Sequence, residues 1–292
     1  GVAMSSAKEK EGDDYLKKGE KALSPSLFQW KPDWDTAVPM FEKAAVAYKL
    51  ARKPDRAKIA YEKASLGLEK TDSPFLAAKH QENAAAMSKE AGAPPSEQAM
   101  FFRKACALYG EAGRIETAAQ CLARAAASMQ EADPEAASAL YLESIDMFEE
   151  EGREAQAHDT YRAYLGLLLR RGMHADAAAF LLRFGAACDK ARASSSQCKA
   201  YLGAVVVWLF AQDAVEAQRT LDDLLDVPVF GSSDEGQAAE DLLAAYRAGD
   251  VAAVQGCIKG SHVFKNGLDT AVARLAVKLP TGDIAAMSAA LG

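Results

Sequence analysis

The sequence predicts an all-α protein: a tetratricopeptide-like α-solenoid of antiparallel helix pairs, followed by a C-terminal helical bundle. Three observations support this fold class. Half of the 292 residues are hydrophobic but only 8% are aromatic, and alanine supplies much of the apolar fraction, which favours closely packed helices. Small and aromatic side chains alternate on one face of the predicted helices. The pattern returns about every 20 residues, with helix-breaking residues between the copies.

The repeat is clearest in residues 35–48. Ala37, Phe41 and Ala44 lie three or four residues apart, so they share one helix face on which alanine permits close approach and the aromatic ring fills the gap. Equivalent positions recur along two-thirds of the chain. They are Ala37, Ala57, Ala77, Gln98, Ala118, Ala137, Ala157 and Ala177.

Helix breakers fall between the copies. Asp133 can cap a helix whose first turn holds Pro134, where the missing N–H costs nothing, and Gly113 and Gly152 suit C-terminal caps. Each unit is therefore predicted to be a helix of roughly 14 residues plus a short turn, and two units form one antiparallel pair of about 40 residues.

The regular pattern fails after about Gly185, and we expect a domain boundary there. The N-terminal α-solenoid is predicted over residues 4–185 and the C-terminal helical bundle over residues 186–292, since an isolated solenoid end would expose its apolar face. Residues 190–196 are polar and turn-like, and residues 227–231 are predicted to form a kinked loop. Helices are predicted at 197–212, 215–225, 234–247, 251–259 and 268–279.

Composition disfavours several classes of protein. A net charge of −7 argues against a nucleic-acid binder, which normally carries a broad positive field. The five cysteines are scattered without a Cys-x-x-Cys pair, as expected for reduced intracellular thiols. The N-terminus lacks an apolar signal segment, and the longest apolar run, residues 201–211, is too short to cross a bilayer. We therefore expect a cytoplasmic protein.

The sequence predicts no catalytic residues, no metal site and no cofactor. The four histidines lie far apart with no carboxylate or cysteine at metal-ligand spacing. Residues 67–71 contain the lysine and threonine of a phosphate-binding loop but lack its preceding glycines. No nucleophile stands beside a base, so the pattern indicates a binding protein rather than an enzyme.

The segment at residues 24–35 departs from the repeat. Its two prolines oppose helix formation, yet it contains four large apolar side chains: Leu27, Phe28, Trp30 and Trp34. One interpretation is that the loop folds back and closes the N-terminal end of the solenoid. The other is an exposed tip that enters a membrane interface, which Trp and Phe favour. Trp34, nearest the next helix, is expected to be buried in either case.

Basic residues recur at or near the turns or on successive helices. They are Lys53, Lys89, Arg114, Arg162 and Lys199. Several of them could line one side of the array as a binding surface, and the alternative is an ordinary solvated face.

Four segments stand out in order along the chain: FQWKPDW at residues 28–34, the segment 141–153, SQCKAYL at 196–202 and KLPTGD at 278–283. Together with the helical repeat and the apolar loop, they resemble the soluble NSF attachment protein family, in particular its gamma type. The resemblance extends from about Ala7 to Asp283.

The resemblance implies an adaptor that lies along the four-helix SNARE bundle of syntaxin-type complexes and recruits NSF, the hexameric AAA ATPase that pulls the bundle apart. It implies contact with the bilayer through Leu27, Phe28 and Trp30, with Trp34 beside them, and peripheral association with endomembranes. The free chain is expected to be monomeric.

The resemblance also implies site residues. Lys89, Arg114, Arg162 and Lys199 fall at or near SNARE-facing basic positions of the alpha type, and Lys53 is a further candidate. Gln120 and His158 stand where that type has basic residues, which suggests weaker or different SNARE targets. Asp283 and the penultimate Leu291 are the candidates for contact with the ATPase, although residues 285–290 lack the acidic run expected there.

Two other functions remain open at this point. One is a tetratricopeptide-like scaffold that binds peptide tails in its groove, with the tryptophan loop as an end cap. The other is an enzyme hidden in the C-terminal bundle, which would need a cavity with convergent titratable groups.

Overall fold

The computed structural model describes residues 2–25 and 30–292. Within these ranges the chain is helical and contains no β-strand, which confirms the all-α fold class. The chain divides into two compact units, Gly1–Met147 and Phe148–Gly292. This division reflects the compactness of each unit. The boundary predicted between residues 185 and 186 reflects the loss of sequence periodicity instead, and it stays a prediction.

The N-terminal unit is a succession of long helices, each packed against the next. They are α1 (Val2–Leu23), α2 (Trp34–Leu50), α3 (Pro54–Lys70), α4 (Pro74–Glu90), α5 (Pro95–Glu111), α6 (Ile115–Met129) and most of α7 (Pro134–Glu150). Prolines begin α3, α4, α5 and α7, and Pro134 of α7 lies in the first turn as predicted.

The C-terminal unit continues with the end of α7 and a 3-10 turn at Glu154–Ala157. Its helices are α8 (His158–Arg170), α9 (His174–Lys190), α10 (Ser194–Phe210), α11 (Ala214–Leu225), α12 (Pro228–Gly231), α13 (Asp234–Arg247), α14 (Val251–Gly260), α15 (Thr270–Ala276) and α16 (Ile284–Leu291). A π-turn at Val263–Gly267 precedes α15. Helix α10 lies at the centre, since it contacts α9, α11, α12, α13 and α15.

Most repeat helices contain 17 residues, so the predicted length of roughly 14 is too short. The turns are correspondingly tight. At the first of them Arg52 adopts a left-handed conformation, with φ of 56°, and the Lys53 N–H donates to the Tyr48 carbonyl at 2.9 Å. This Schellman arrangement satisfies helix-end carbonyls with a turn of only three residues.

The same turn recurs beyond the point where the sequence pattern fails. Arg192 and Gln212 both have positive φ, and they link α9 to α10 and α10 to α11. Of residues 190–196, which were predicted to be turn-like, only residues 191–193 form the turn, because α9 ends at Lys190 and α10 begins at Ser194. The predicted loop at 227–231 is wrong as well, because Pro228–Gly231 is a short helix that buries Phe230.

The core follows the predicted alternation of small and aromatic side chains. Phe41 and Tyr48 are buried on α2, and each ring lies over a glycine of α1. A Cβ atom on Gly12 would come within 2.7 Å of the Tyr48 ring, and one on Gly19 within 2.6 Å of the Phe41 ring. These glycines therefore set how closely the first two helices approach.

Helix α10 holds the longest apolar run of the sequence and is buried on most sides. Among the described helices, none is both long enough and apolar enough to span a bilayer.

Candidate binding surfaces

The N-terminal loop is closed at its base. The Asp33 N–H donates to the Ala22 carbonyl at 3.1 Å, which joins the end of α1 to the start of α2. The Asp33 carboxylate accepts hydrogen bonds from the Thr36 hydroxyl and backbone N–H at 2.7 and 3.0 Å, and these bonds lower the pKa of Asp33. Leu27 and Phe28 lie outside the described residues.

The two tryptophans of this loop differ in their surroundings. Trp30 is 90% exposed. Trp34 is half-buried at the start of α2, where its ring passes over Gly67 of α3 at a distance of 3.1 Å from an added Cβ atom. Trp34 therefore anchors the loop to the helices. If the loop were an end cap, its apolar side chains would be buried, but the Trp30 side chain is exposed.

The three basic candidates of the N-terminal unit have different partners. Lys53 forms an ion pair with Glu9 of α1 at 3.3 Å. The Lys89 ammonium donates to the Ser128 carbonyl at the end of α6, at 3.2 Å. The Arg114 side chain is exposed just before α6 and forms no hydrogen bond or ion pair with any described residue. Among these three, Arg114 presents the charge that is most available to a partner.

Other cations of this unit join one helix to the next but one. Lys58 bonds to Glu97 at 2.6 Å between α3 and α5, and Arg124 bonds to Glu82 at 2.6 Å between α6 and α4. Because these basic side chains are paired with carboxylates of other helices, we do not count them among the candidates for binding a partner.

In the C-terminal unit the structure brings two candidates together. Arg162 of α8 and Lys199 of α10 line one cavity of about 370 Å³, which is closed on another side by the segment 266–270. The Arg162 Nε atom lies 4.0 Å from Asp269 Oδ2. Lys199 forms no ion pair with the described residues. The cavity thus presents two cations and one carboxylate to solvent.

His158, one of the two non-basic positions, stands beside this cavity at the start of α8. Its ring packs edge-on against Phe184 at 5.4 Å, and its Nε2 atom lies 3.8 Å from the Cys188 sulfur. Burial lowers the pKa of His158, and the charge of Arg162 lowers it further. The imidazole is therefore neutral at pH 7. Gln120 is exposed on α6, where it bonds to Glu116 at 3.1 Å.

The chain ends in a helix that sequence reasoning missed. Asp283 caps α16 by accepting hydrogen bonds from the backbone N–H groups of Ala285 and Ala286, at 2.9 and 3.2 Å. The Ser288 hydroxyl bonds to the Arg247 carbonyl at 2.7 Å, which holds α16 against α13. Leu291 is half-buried beside a cavity between α11 and α16. The sequence signal for this helix was Asp283, a good N-cap residue, directly before the alanine-rich segment 284–291.

No group of three or more His, Cys, Asp or Glu side chains in the described part of the chain is arranged to hold a metal ion. All five cysteines are free thiols. Burial raises the pKa of the Cys106 and Cys188 thiols to about 11, so both are protonated at neutral pH.

These features define a helical-repeat protein with exposed basic side chains on several of its helices and turns. A family model described as soluble NSF attachment protein matches residues 10–262. The gamma-soluble NSF attachment protein of Arabidopsis thaliana is 38% identical over 275 residues, which cover 94% of each chain. That of Dictyostelium discoideum is 30% identical over 276 residues, covering 94% of this chain and 84% of the relative. The chain belongs to the soluble NSF attachment protein family.

Proposed function

We propose that this chain is a non-enzymatic adaptor that binds assembled SNARE complexes and recruits the NSF ATPase for their disassembly in membrane trafficking. The observation that carries this proposal is the family match over residues 10–262, together with relatives named gamma-soluble NSF attachment protein that align along 94% of the chain.

The SNARE contact is assigned to Lys53, Lys89, Arg114, Arg162 and Lys199. Arg114 and the Arg162–Lys199 cavity support this assignment best, because their charges are least committed to other helices. SNARE bundles are acidic on their surface, so attraction steers the pairing and weakens as salt increases. Lys53 and Lys89 already have partners within the chain, and we expect them to contribute less.

The membrane contact is assigned to the tip of the N-terminal loop, through Leu27, Phe28 and Trp30. The exposure of Trp30 supports this role, since an indole ring is favoured at the level of lipid headgroups. Trp34 and the Asp33–Ala22 hydrogen bond hold the base of the loop. In this account the chain is cytoplasmic and monomeric when free, and it associates peripherally with endomembranes.

The contact with NSF is assigned to the C-terminal helix α16, which Asp283 begins and Leu291 ends. Leu291 is half-buried against α11, so its exposed part would form an apolar contact at the rim of that cavity. Helix α16 carries no acidic residue, and the carboxylates beside Leu291 are Asp222 and Asp223 of α11, which line the same cavity.

The SNARE contact is tested by charge reversal. The Arg114→Glu, Arg162→Glu chain is expected to bind a preassembled four-helix SNARE bundle roughly tenfold more weakly than the wild-type chain at low salt, and the difference should shrink as salt is added. The matched control is Lys10→Glu, Lys259→Glu, which changes the net charge equally at two exposed lysines whose side chains form no hydrogen bond or ion pair with the described residues. Equal weakening in both variants would show that net charge, and not these two sites, governs binding.

A further inference from the structure

We propose that Asp269 competes with the acidic side chains of the SNARE partner for Arg162, and so reduces the affinity of the Arg162–Lys199 cavity. This inference rests on the proposed function, because it assumes that a carboxylate of the partner enters this cavity. It adds a residue that limits affinity at the same site and that no basic-residue pattern reveals.

The position of Asp269 follows from its role as a helix cap. Its Oδ1 atom accepts a hydrogen bond from the Ala271 backbone N–H at 2.9 Å, at the start of α15. Its other oxygen, Oδ2, is then directed to Arg162 at 4.0 Å. Because the cap restrains the carboxylate, the pair does not depend on a freely moving side chain.

A second carboxylate near Arg162 is arranged differently. Asp159 lies one turn before Arg162 on α8, with 3.8 Å between its Oδ1 atom and Arg162 Nη1, and its side chain is fully exposed. Solvent screens that pair. The Asp269 side chain is only 24% exposed, so its field within the cavity is screened less.

The charges of the cavity lining give the direction of the effect. Arg162, Lys199 and Asp269 are its charged residues, and the remaining polar residues, such as Ser196, Asn266 and Thr270, are neutral. A carboxylate that approaches the two cations must either displace Asp269 from Arg162 or bind beside a like charge. Both routes weaken binding relative to a cavity without the Asp269 charge.

The test is the Asp269→Asn substitution in the full chain. Asparagine keeps the capping oxygen and removes the charge, so α15 should form as before. The control is Asp250→Asn, since Asp250 caps α14 in the same way, with Ala253 N–H at 3.0 Å, and does not line the cavity. Thermal unfolding of both variants verifies that each remains folded.

The measured quantity is the dissociation constant for a fluorescently labelled, preassembled four-helix SNARE bundle, at low and at high salt. Asp269→Asn is expected to tighten binding roughly two- to fivefold at low salt and less at high salt, whereas Asp250→Asn leaves the constant unchanged. In an Arg162→Gln background the gain from Asp269→Asn should disappear, because the competition acts through Arg162.

Unchanged or weaker binding by Asp269→Asn would overturn the proposal, and weaker binding would make Asp269 a residue that orients Arg162. A gain that persists in the Arg162→Gln background would also overturn it. The proposed function fails separately if the wild-type chain does not bind the bundle. If the wild-type chain binds but Arg162→Gln leaves its affinity unchanged, the competition at Arg162 is overturned while the adaptor function stands.

Discussion

Single residues determine how closely the first helices pack. Glycine at positions 12 and 19 allows the Tyr48 and Phe41 rings to lie directly on the backbone of α1. The Tyr48 hydroxyl then reaches Asp13 at 2.7 Å, and Arg56 of α3 pairs with the same carboxylate at 2.6 Å. Burial, followed by the hydrogen bond to Asp13, raises the pKa of Tyr48 to about 12, so it remains a hydrogen-bond donor at physiological pH.

The close approach at Gly19 gives a stability prediction. Gly19→Ala should lower the unfolding free energy by roughly 1–3 kcal/mol, because the added methyl group overlaps the buried Phe41 ring. Gly110→Ala, in helix α5 with nothing within 4 Å of its added Cβ atom, should be neutral or stabilising by up to about 1 kcal/mol. Urea unfolding followed by circular dichroism compares them. A stabilising Gly19→Ala substitution would mean that α1 is not packed as described.

The environment of His158 gives a pH prediction. Arg162→Gln should raise the pKa of His158, since it removes a positive charge, but burial should still hold it below the ordinary value of about 6.5. NMR titration of the imidazole protons measures this change, with Arg219→Gln on α11 as the control. Because the unfolded histidine takes up its proton at a higher pH than the folded one, His158 lowers stability as the pH falls below about 6.5. An unchanged His158 pKa in Arg162→Gln would contradict the described packing.

At the scale of elements, the repeat was predictable wherever proline or glycine marks the end of a helix. Proline in the first turn marks the start of a helix, and a glycine such as Gly113 or Gly152 marks the end of one, so both can be read from the sequence. The turns at Arg192 and Gln212 have the same geometry without glycine, so the sequence predicted a turn near each position but not its left-handed backbone. Their conformation is imposed by the packing of the flanking helices, which overrides local preference.

The N-terminal loop gives a prediction that separates its two tryptophans. Trp30→Ser should reduce binding to liposomes while changing the unfolding free energy by less than about 0.5 kcal/mol, because the indole is exposed. Trp34→Ser should instead cost roughly 1–3 kcal/mol, because its ring packs over Gly67.

The same experiment extends to Leu27→Ser, Phe28→Ser, which should behave like Trp30→Ser. Co-sedimentation with liposomes and thermal unfolding give the two readouts. If Trp30→Ser destabilises the fold and leaves liposome binding intact, the loop is a structural cap and the membrane assignment is wrong.

For the whole molecule, the sequence identified which residues could bind but not which of them come together. Arg162 and Lys199 meet at one cavity because α8, α10 and the segment before α15 pack around it, and that arrangement depends on contacts between distant parts of the chain. The same limitation concealed the ion pair of Lys53 with Glu9 and the proximity of Asp269 to Arg162. Periodicity predicts the faces of helices, while their partners depend on tertiary packing.

The adaptor function is tested by following the disassembly of a SNARE bundle by NSF. A preassembled four-helix SNARE bundle carrying a fluorescence-transfer pair is incubated with NSF and ATP, with or without the wild-type chain. We expect disassembly to require the chain and ATP hydrolysis, and to decline as salt weakens the binding of the chain to the bundle. If the chain neither binds several different bundles at low salt nor supports their disassembly, the adaptor function is contradicted. The helical fold would remain, and a peptide-binding scaffold would become the better explanation.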